Sequence, residues 1–207
     1  MLNSYPIPAA DVTFEEEIKH SRFITVLFPC ASPEDFKQKV EQLKAAYPAA
    51  NHYCQAVIWN EPQNAAAMGC SDDGEPSGSA GRPMLNVLQG AGIGEIGAVV
   101  IRYFGGVKLG VGGLVRAYSS GVKNALVRLS KVTKIKRVRA MLDCQYSHLA
   151  DVEHYLTLFE VCITERVFTQ HVTLQLEIPV SSQEELQAVL QQISQGQLQL
   201  SFSNEPL

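Results

Sequence analysis

Two glycine-bearing stretches hold the residues best suited to chemistry. Residues 70–83 (CSDDGEPSGSAGRP) gather the carboxylates of Asp72, Asp73 and Glu75 with the hydroxyls of Ser71, Ser77 and Ser79. Oxygen donors at that density suit a hard divalent cation. The spacing is not that of an EF-hand loop, and Asx-turns among small residues explain much of the composition without a ligand. No metal and no cofactor is therefore assigned. The second stretch, residues 105–113 (GGVKLGVGG), sets Gly105, Gly106, Gly110, Gly112 and Gly113 around Lys108. It joins an apolar run to a helical pattern, and the free amides of a helix N-terminus favour an anion such as phosphate. It is not a Walker A loop: Gly105 and Gly110 have the right separation, but Val111 and Gly112 stand where Lys and Ser/Thr are required. A GxGxxG at residues 92–97 precedes a strand instead of linking strand to helix, so it reads as a tight turn.

Charge adds a third feature. No acidic residue lies between Glu95 and Asp143, while that window holds Arg102, Lys108, Arg116, Lys123, Arg128, Lys131, Lys134, Lys136, Arg137 and Arg139. Arg116 and Lys123 are one heptad apart and project from nearly the same helix face. An anionic partner such as RNA fits these residues; pairing with acids elsewhere, or plain solvation, is the competing explanation. The five cysteines (Cys30, Cys54, Cys70, Cys144, Cys162) are odd in number and contain no CxxC pair, which argues against a disulfide framework or a zinc site. They read as free, mostly buried thiols. Nothing in the sequence joins Cys70 to His52 as a thiolate pair, and His148 and His154, six apart, point to different helix faces.

The elements that must carry these residues follow from periodicity. Residues 13–17 and 22–29 read as an antiparallel strand pair. Ser32 and Pro33 begin a helix with Phe36, Val40 and Leu43 on one face, closed by Pro48. Residues 52–59 read as a strand, 60–83 as a long loop of a kind that is usually functional or disordered, 82–91 as a short helix, and 96–104 (IGAVVIRYF) as a strand covered on both faces. An amphipathic helix spans 114–129 with Gly112 and Gly113 at its N-terminus. Beyond it comes a strand at 134–145, a helix at 147–158, strands at 161–168 and 170–178, a helix at 182–194 and a strand at 197–202. This β-α-β-β-α-β order is the ferredoxin-like pattern.

The chain has 207 residues, 46% of them hydrophobic and 18% charged, which suits two globular domains. Cut after Val138, the first part carries 15 Lys+Arg against 12 Asp+Glu, net +3, and the second 2 against 9, net −7, in keeping with the overall −4. This places the boundary near 131–138 and gives domains of 1–133 and 134–207. The start shows no basic region followed by an apolar core, and no apolar run is long enough to cross a bilayer; a cytoplasmic protein is expected, with no membrane partner.

The stretches SDDGEPSGSAGRPML (71–85) and VVIRYFGGVKLGVGGLVRAY (99–118) strongly resemble the IMPACT family. The resemblance covers about residues 15–130, and the tail looks like the C-terminal domain attached to bacterial members. It implies an α+β protein: an N-terminal α/β domain similar to the second domain of ribosomal protein S5, and a ferredoxin-like domain similar to late domains of elongation factor G. The family's motif positions fall on Asp72, Asp73, Gly74, Glu75, Gly78, Gly81, Arg102, Gly105, Gly106, Lys108, Gly110, Gly112, Gly113 and Arg116, and no catalytic residue transfers. Eukaryotic relatives regulate translation by binding proteins of the amino-acid-starvation response, which implies a translation-linked role.

The favoured reading is a non-enzymatic protein that binds RNA or the ribosome, with Arg102, Lys108, Arg116 and Lys123 on phosphates and the glycines admitting close backbone approach. The alternative is an enzyme acting on a small anionic substrate, using Asp72, Asp73 and Glu75 as a metal or acid–base loop and residues 105–113 as a phosphate cradle. The third reading is a protein-interaction module with a partner in translation control, in which the acidic tail domain either meets a basic partner or shields the basic face.

Overall fold

The computed structural model describes residues 3–203; the outermost residues of the two expected domains, 1–2 and 204–207, lie outside the described residues. The fold divides into two units, one of residues 5–134 and one that takes residues 135–203 with 3–4 among the described residues.

In the first unit, strand β1 (Ser4–Pro8) pairs with β7 (Lys131–Ile135). The sequence reading has no counterpart for β1, because a five-residue run with two prolines carries little strand signal. Tyr5 anchors it: buried, it donates its hydroxyl to Glu95 Oε1 at 2.8 Å, and Lys134 of β7 pairs with the same carboxylate.

The central sheet is five-stranded and antiparallel in the order β2-β3-β6-β4-β5. Strands β2 (Val12–Ile18) and β3 (Ser21–Pro29) form the expected hairpin. Helix α1 (Pro33–Ala46) starts as the sequence indicates, with the Asp35 amide donating to Ser32 Oγ at 3.1 Å. Strand β4 is His52–Ile58, and β6 (Ile96–Tyr103) lies at the centre of the sheet. The expected loop from 60 to 83 is interrupted by short regular elements: a single turn at Ala65–Ala67 leads into an edge strand, β5 (Met68–Ser71), and helix α2 (Gly81–Ala91) begins within it. A four-residue strand in a Gly- and Ser-bearing segment has too short a pattern to be recognised by alternation. Gly92, left-handed at φ 64°, ends α2, so the turn read from the GxGxxG is a helix cap.

Period-2 alternation sorts the strands into two faces. Ile24, Val26, Phe28, Val99 and Ile101 pack under α1 through Phe36, Val40 and Leu43. Phe23, Leu27, Ala98 and Val100 pack under α2 and α3 (Val111–Arg128) through Met84, Leu88, Leu114, Tyr118 and Val122. Both faces of β3 and β6 are thus dry, which is what their continuous apolar runs require. Helix α3 lies close on the sheet at Gly121, where a Cβ would come 2.5 Å from Thr25 Oγ1.

The second unit is ferredoxin-like. The expected strand at 134–145 breaks at Lys136, so that β7 ends and β8 (Arg137–Cys144) begins a new sheet. Helix α4 (Leu149–Leu158), strands β9 (Cys162–Phe168) and β10 (Val172–Pro179), helix α5 (Gln183–Ile193) and a short β11 (Ser201–Phe202) follow. The sheet order β11-β8-β10-β9 is that of the pattern. Val152, Leu156, Leu186 and Leu190 bury the helix stripes against Leu142, Leu174, Leu176 and Ile178. No helix among the described residues is long and apolar enough to cross a membrane.

Candidate functional site

The two family motifs, 71–85 and 99–118, meet, and what joins them is buried charge. Alternation along β6 puts Arg102 on the same face as Ala98 and Val100, beneath α3, where it is 5% exposed. A guanidinium there needs an acid. Glu75, 8% exposed, supplies it: its Oε1 accepts from Arg102 Nη1 at 2.6 Å and from the Tyr118 hydroxyl of α3 at 2.7 Å. Arg102 also donates from Nη2 to Ser21 Oγ at 3.2 Å and stacks over Phe23 and Phe104, 5.4 and 5.5 Å from the ring centroids. Burial, with Cys54 and Glu75 alongside, pushes the Tyr118 phenol far above its usual range and keeps it a donor.

The rest of the acidic loop is committed to holding its own shape. Asp72 accepts backbone N–H bonds from Gly78 (2.8 Å), Ala80 (3.0 Å) and Gly81 (2.8 Å). Burial is the largest single influence on its carboxyl and pushes it upward, but the three amides together outweigh it and hold the group below the usual carboxylate range. Asp73, left-handed at φ 44°, accepts the Tyr53 amide at 2.6 Å, and its carbonyl accepts His52 Nδ1–H at 2.8 Å. Gly81 is required where it is: a Cβ would stand 2.7 Å from the Ser71 carbonyl oxygen. Among the described residues no group of His, Cys, Asp or Glu is arranged to hold a metal ion.

The thiols offer no nucleophile in this network. Cys54 donates to the Asp72 carbonyl at 3.0 Å, and burial above all pushes it up to about 12. Cys30 is likewise pushed up to about 12, chiefly by burial. Cys70 is exposed on the edge strand, contrary to the buried reading, and Cys162 is exposed too. His52 spends its contacts on Asp73 and, at 3.9 Å, on Glu75.

The outer side of α3 has the opposite character. Lys108, Arg116 and Lys123 are exposed, and none joins an ion pair among the described residues. Arg116 and Lys123 border one groove of about 510 Å3 with Ser119 and Ser120, as their heptad spacing implies; Gly113, Leu109, Ile18 and Lys19 complete it. Ser120 Oγ donates to Glu16 Oε1 at 3.2 Å and Arg116 Nε to the Gly112 carbonyl at 3.2 Å. A second, mostly apolar groove of about 600 Å3 runs between α2 and α3 along Val87, Val115 and Leu126, and shares Ser119 and Lys123 with the first.

The structure therefore separates the residues the sequence grouped. Arg102 sits inside, ion-paired, and cannot reach a surface phosphate; Lys108, Arg116 and Lys123 sit outside. Of the other cations in the acid-free window, Lys134 pairs with Glu95, Arg137 donates to the carbonyls of Glu160 and Glu177, and Arg128 packs over Phe14. The glycines divide as well. Gly105 is a packing glycine, since a Cβ there would collide with the His20 carbonyl. Gly106 (φ 83°) and Gly110 (φ 73°) occupy left-handed backbone. Gly112 and Gly113 fall in the first turn of α3, which starts at Val111, three residues earlier than expected. Lys19 is the surface cation the sequence reading missed; it lies outside the acid-free window, and only the hairpin brings it to α3.

Comparison with known proteins settles the kinship. The Impact N-terminal domain matches residues 19–126, and a domain of unknown function (DUF1949) matches residues 142–197. The chain belongs to the IMPACT family. It is 43% identical over 199 residues to the IMPACT family member YigZ of Escherichia coli K12, covering 96% of this chain and 98% of that one. It is 42% identical over 194 residues to an IMPACT family member of Haemophilus influenzae, covering 94% of each, and 35% identical over 173 residues to the family member YvyE of Bacillus subtilis, covering 83% and 78%. A crystal structure of a hypothetical protein superposes with a TM-score of 0.75 at 42% identity, covering 99% of this chain and 100% of that one.

Proposed function

We propose that this IMPACT family member binds RNA, in the setting of the ribosome or of translation control, through the outer face of α3 and the loop that leads into it. The observation that carries the reading is the set of exposed cations Lys108, Arg116 and Lys123, without an ion pair among the described residues, on a stretch without acids. Mobile cations of this kind release counterions when they meet phosphates, which gives affinity without base readout. The likeness of the family to ribosomal protein S5 and to elongation factor G supports the setting. The enzyme reading has less support, because Asp72, Asp73 and Glu75 are each taken up by protein donors.

The test is fluorescence anisotropy of labelled single-stranded RNA titrated with the full chain over a salt series. Three phosphate contacts predict a log–log salt slope of about −2. Failure to bind at low salt would overturn the proposal.

A further inference from the structure

We propose that the β2–β3 turn is the second wall of this RNA site: Lys19 faces Arg116 and Lys123 across the groove, and the three form a cation clamp on the phosphodiester backbone of a single strand. The inference rests on the RNA reading above. The hairpin closes with Ile18 opposite Ser21, leaving Lys19 and His20 as a two-residue turn, with φ of 47° and 63°. Positive φ at both positions defines the turn that Asn-Gly fills best; His tolerates the left-handed region, but Lys at the first position does not suit it. An unfavourable backbone held by Lys19 points to a task for its side chain.

The turn cannot relax, because it is held from below. Ser21 is fully buried, and its Oγ accepts from Arg102 Nη2 at 3.2 Å and from the Gly105 amide at 3.3 Å. Gly105 lies so close to His20 that no side chain fits between them. The buried Glu75–Arg102 pair is thus the brace that fixes Lys19 at the groove. Lys19 lines it with Ile18 on one side, and Arg116, Lys123 and Ser119 line the other. His20, the other turn residue, lies 3.6 Å from Glu17 through its Nδ1 and is not part of the clamp. Two features favour a polymer over a small phosphate compound. The groove passes Ser119 and Lys123 into the apolar furrow between α2 and α3, so phosphates would sit among cations and bases along Val115 and Leu126. A positive groove that tracks the backbone is how single strands are held without sequence preference, although this furrow offers aliphatic surface in place of stacking rings.

The experiment compares the full chain with Lys19→Asn/His20→Gly, with Lys19→Gln, and with Arg116→Ala/Lys123→Ala, by single-stranded RNA anisotropy and urea unfolding. Expected is a several-fold loss of affinity in both turn variants and a salt slope shallower by about 0.7. Only Lys19→Asn/His20→Gly should also unfold at higher urea. If the wild type binds and the α3 variant fails while both turn variants bind as the wild type does, the clamp is overturned and the α3 reading stands. If the wild type does not bind at low salt, both fall. A mononucleotide that displaces the strand at equal phosphate concentration would overturn the assignment to a polymer.

Discussion

The interior brace and the outer groove share the second family motif, which holds the buried Arg102 and Tyr118 as well as the exposed Arg116, yet they do opposite things with charge. In the brace, Glu75, Arg102 and Tyr118 exchange bonds of 2.6 and 2.7 Å in a dry interior, and every member depends on the others. In the groove, Lys19, Arg116 and Lys123 are exposed and join no ion pair among the described residues. Desolvation makes the first set costly to break and unfit to bind anything else. Hydration makes the second set nearly irrelevant to stability and free to exchange counterions for phosphate. Membership of a motif does not distinguish the two roles; burial and partnership do.

The largest effect should come from splitting the brace. Arg102→Ala leaves Glu75 buried without its cation and is expected to cost about 3–5 kcal/mol, read as a lowered urea midpoint. A cost near zero would mean that the pair is solvated, and the contrast would collapse. Gly105→Ala comes next: its methyl must displace the β2–β3 turn, at about 1–3 kcal/mol for overpacking. Because the turn carries Lys19, this variant should lose RNA affinity as well as stability, so it tests whether brace and groove are mechanically linked.

Asp72→Asn should have a smaller effect, about 1 kcal/mol at neutral pH, through weaker bonds to the amides of Gly78, Ala80 and Gly81. Its pH dependence has a fixed sign. The folded state holds this carboxyl below its ordinary value, so the ionised form contributes stability above the unfolded pKa of about 3.9 and loses it as the pH falls through the folded value. The gap between wild type and variant in urea titrations should therefore narrow below about pH 4; a gap independent of pH would show that the amides do not favour the charge.

Much of this arrangement is legible in the sequence. The dry β6, the α3 stripe, the Ser32 cap and the β-α-β-β-α-β tail all follow from periods of 2 and 3.6 and from cap chemistry. The heptad spacing of Arg116 and Lys123 correctly places them on one groove. Arg102 shows what was available and not used: a strand read as covered on both faces implies that any charge within it is buried and needs a partner, and Glu75 in the neighbouring motif is the candidate. Other features lay beyond local pattern. Lys19 joins the groove only through a hairpin and a long-range approach by Gly105, and β5 is too short to show alternation. Charge counting along the chain could not separate Lys134, which pairs with Glu95, from Lys123, which pairs with nothing described.

The division of labour is tested most directly by one measurement: the affinity of the full chain for single-stranded RNA, by anisotropy across salt, for wild type, Arg116→Ala/Lys123→Ala and Lys37→Ala/Lys44→Ala. The last pair lies exposed on α1, across the sheet, and removes the same charge. The account predicts that only the α3 variant loses affinity and about 1.4 of the salt slope, with its urea midpoint unchanged. Equal losses in both variants would contradict it, because binding would then follow net charge and not the groove.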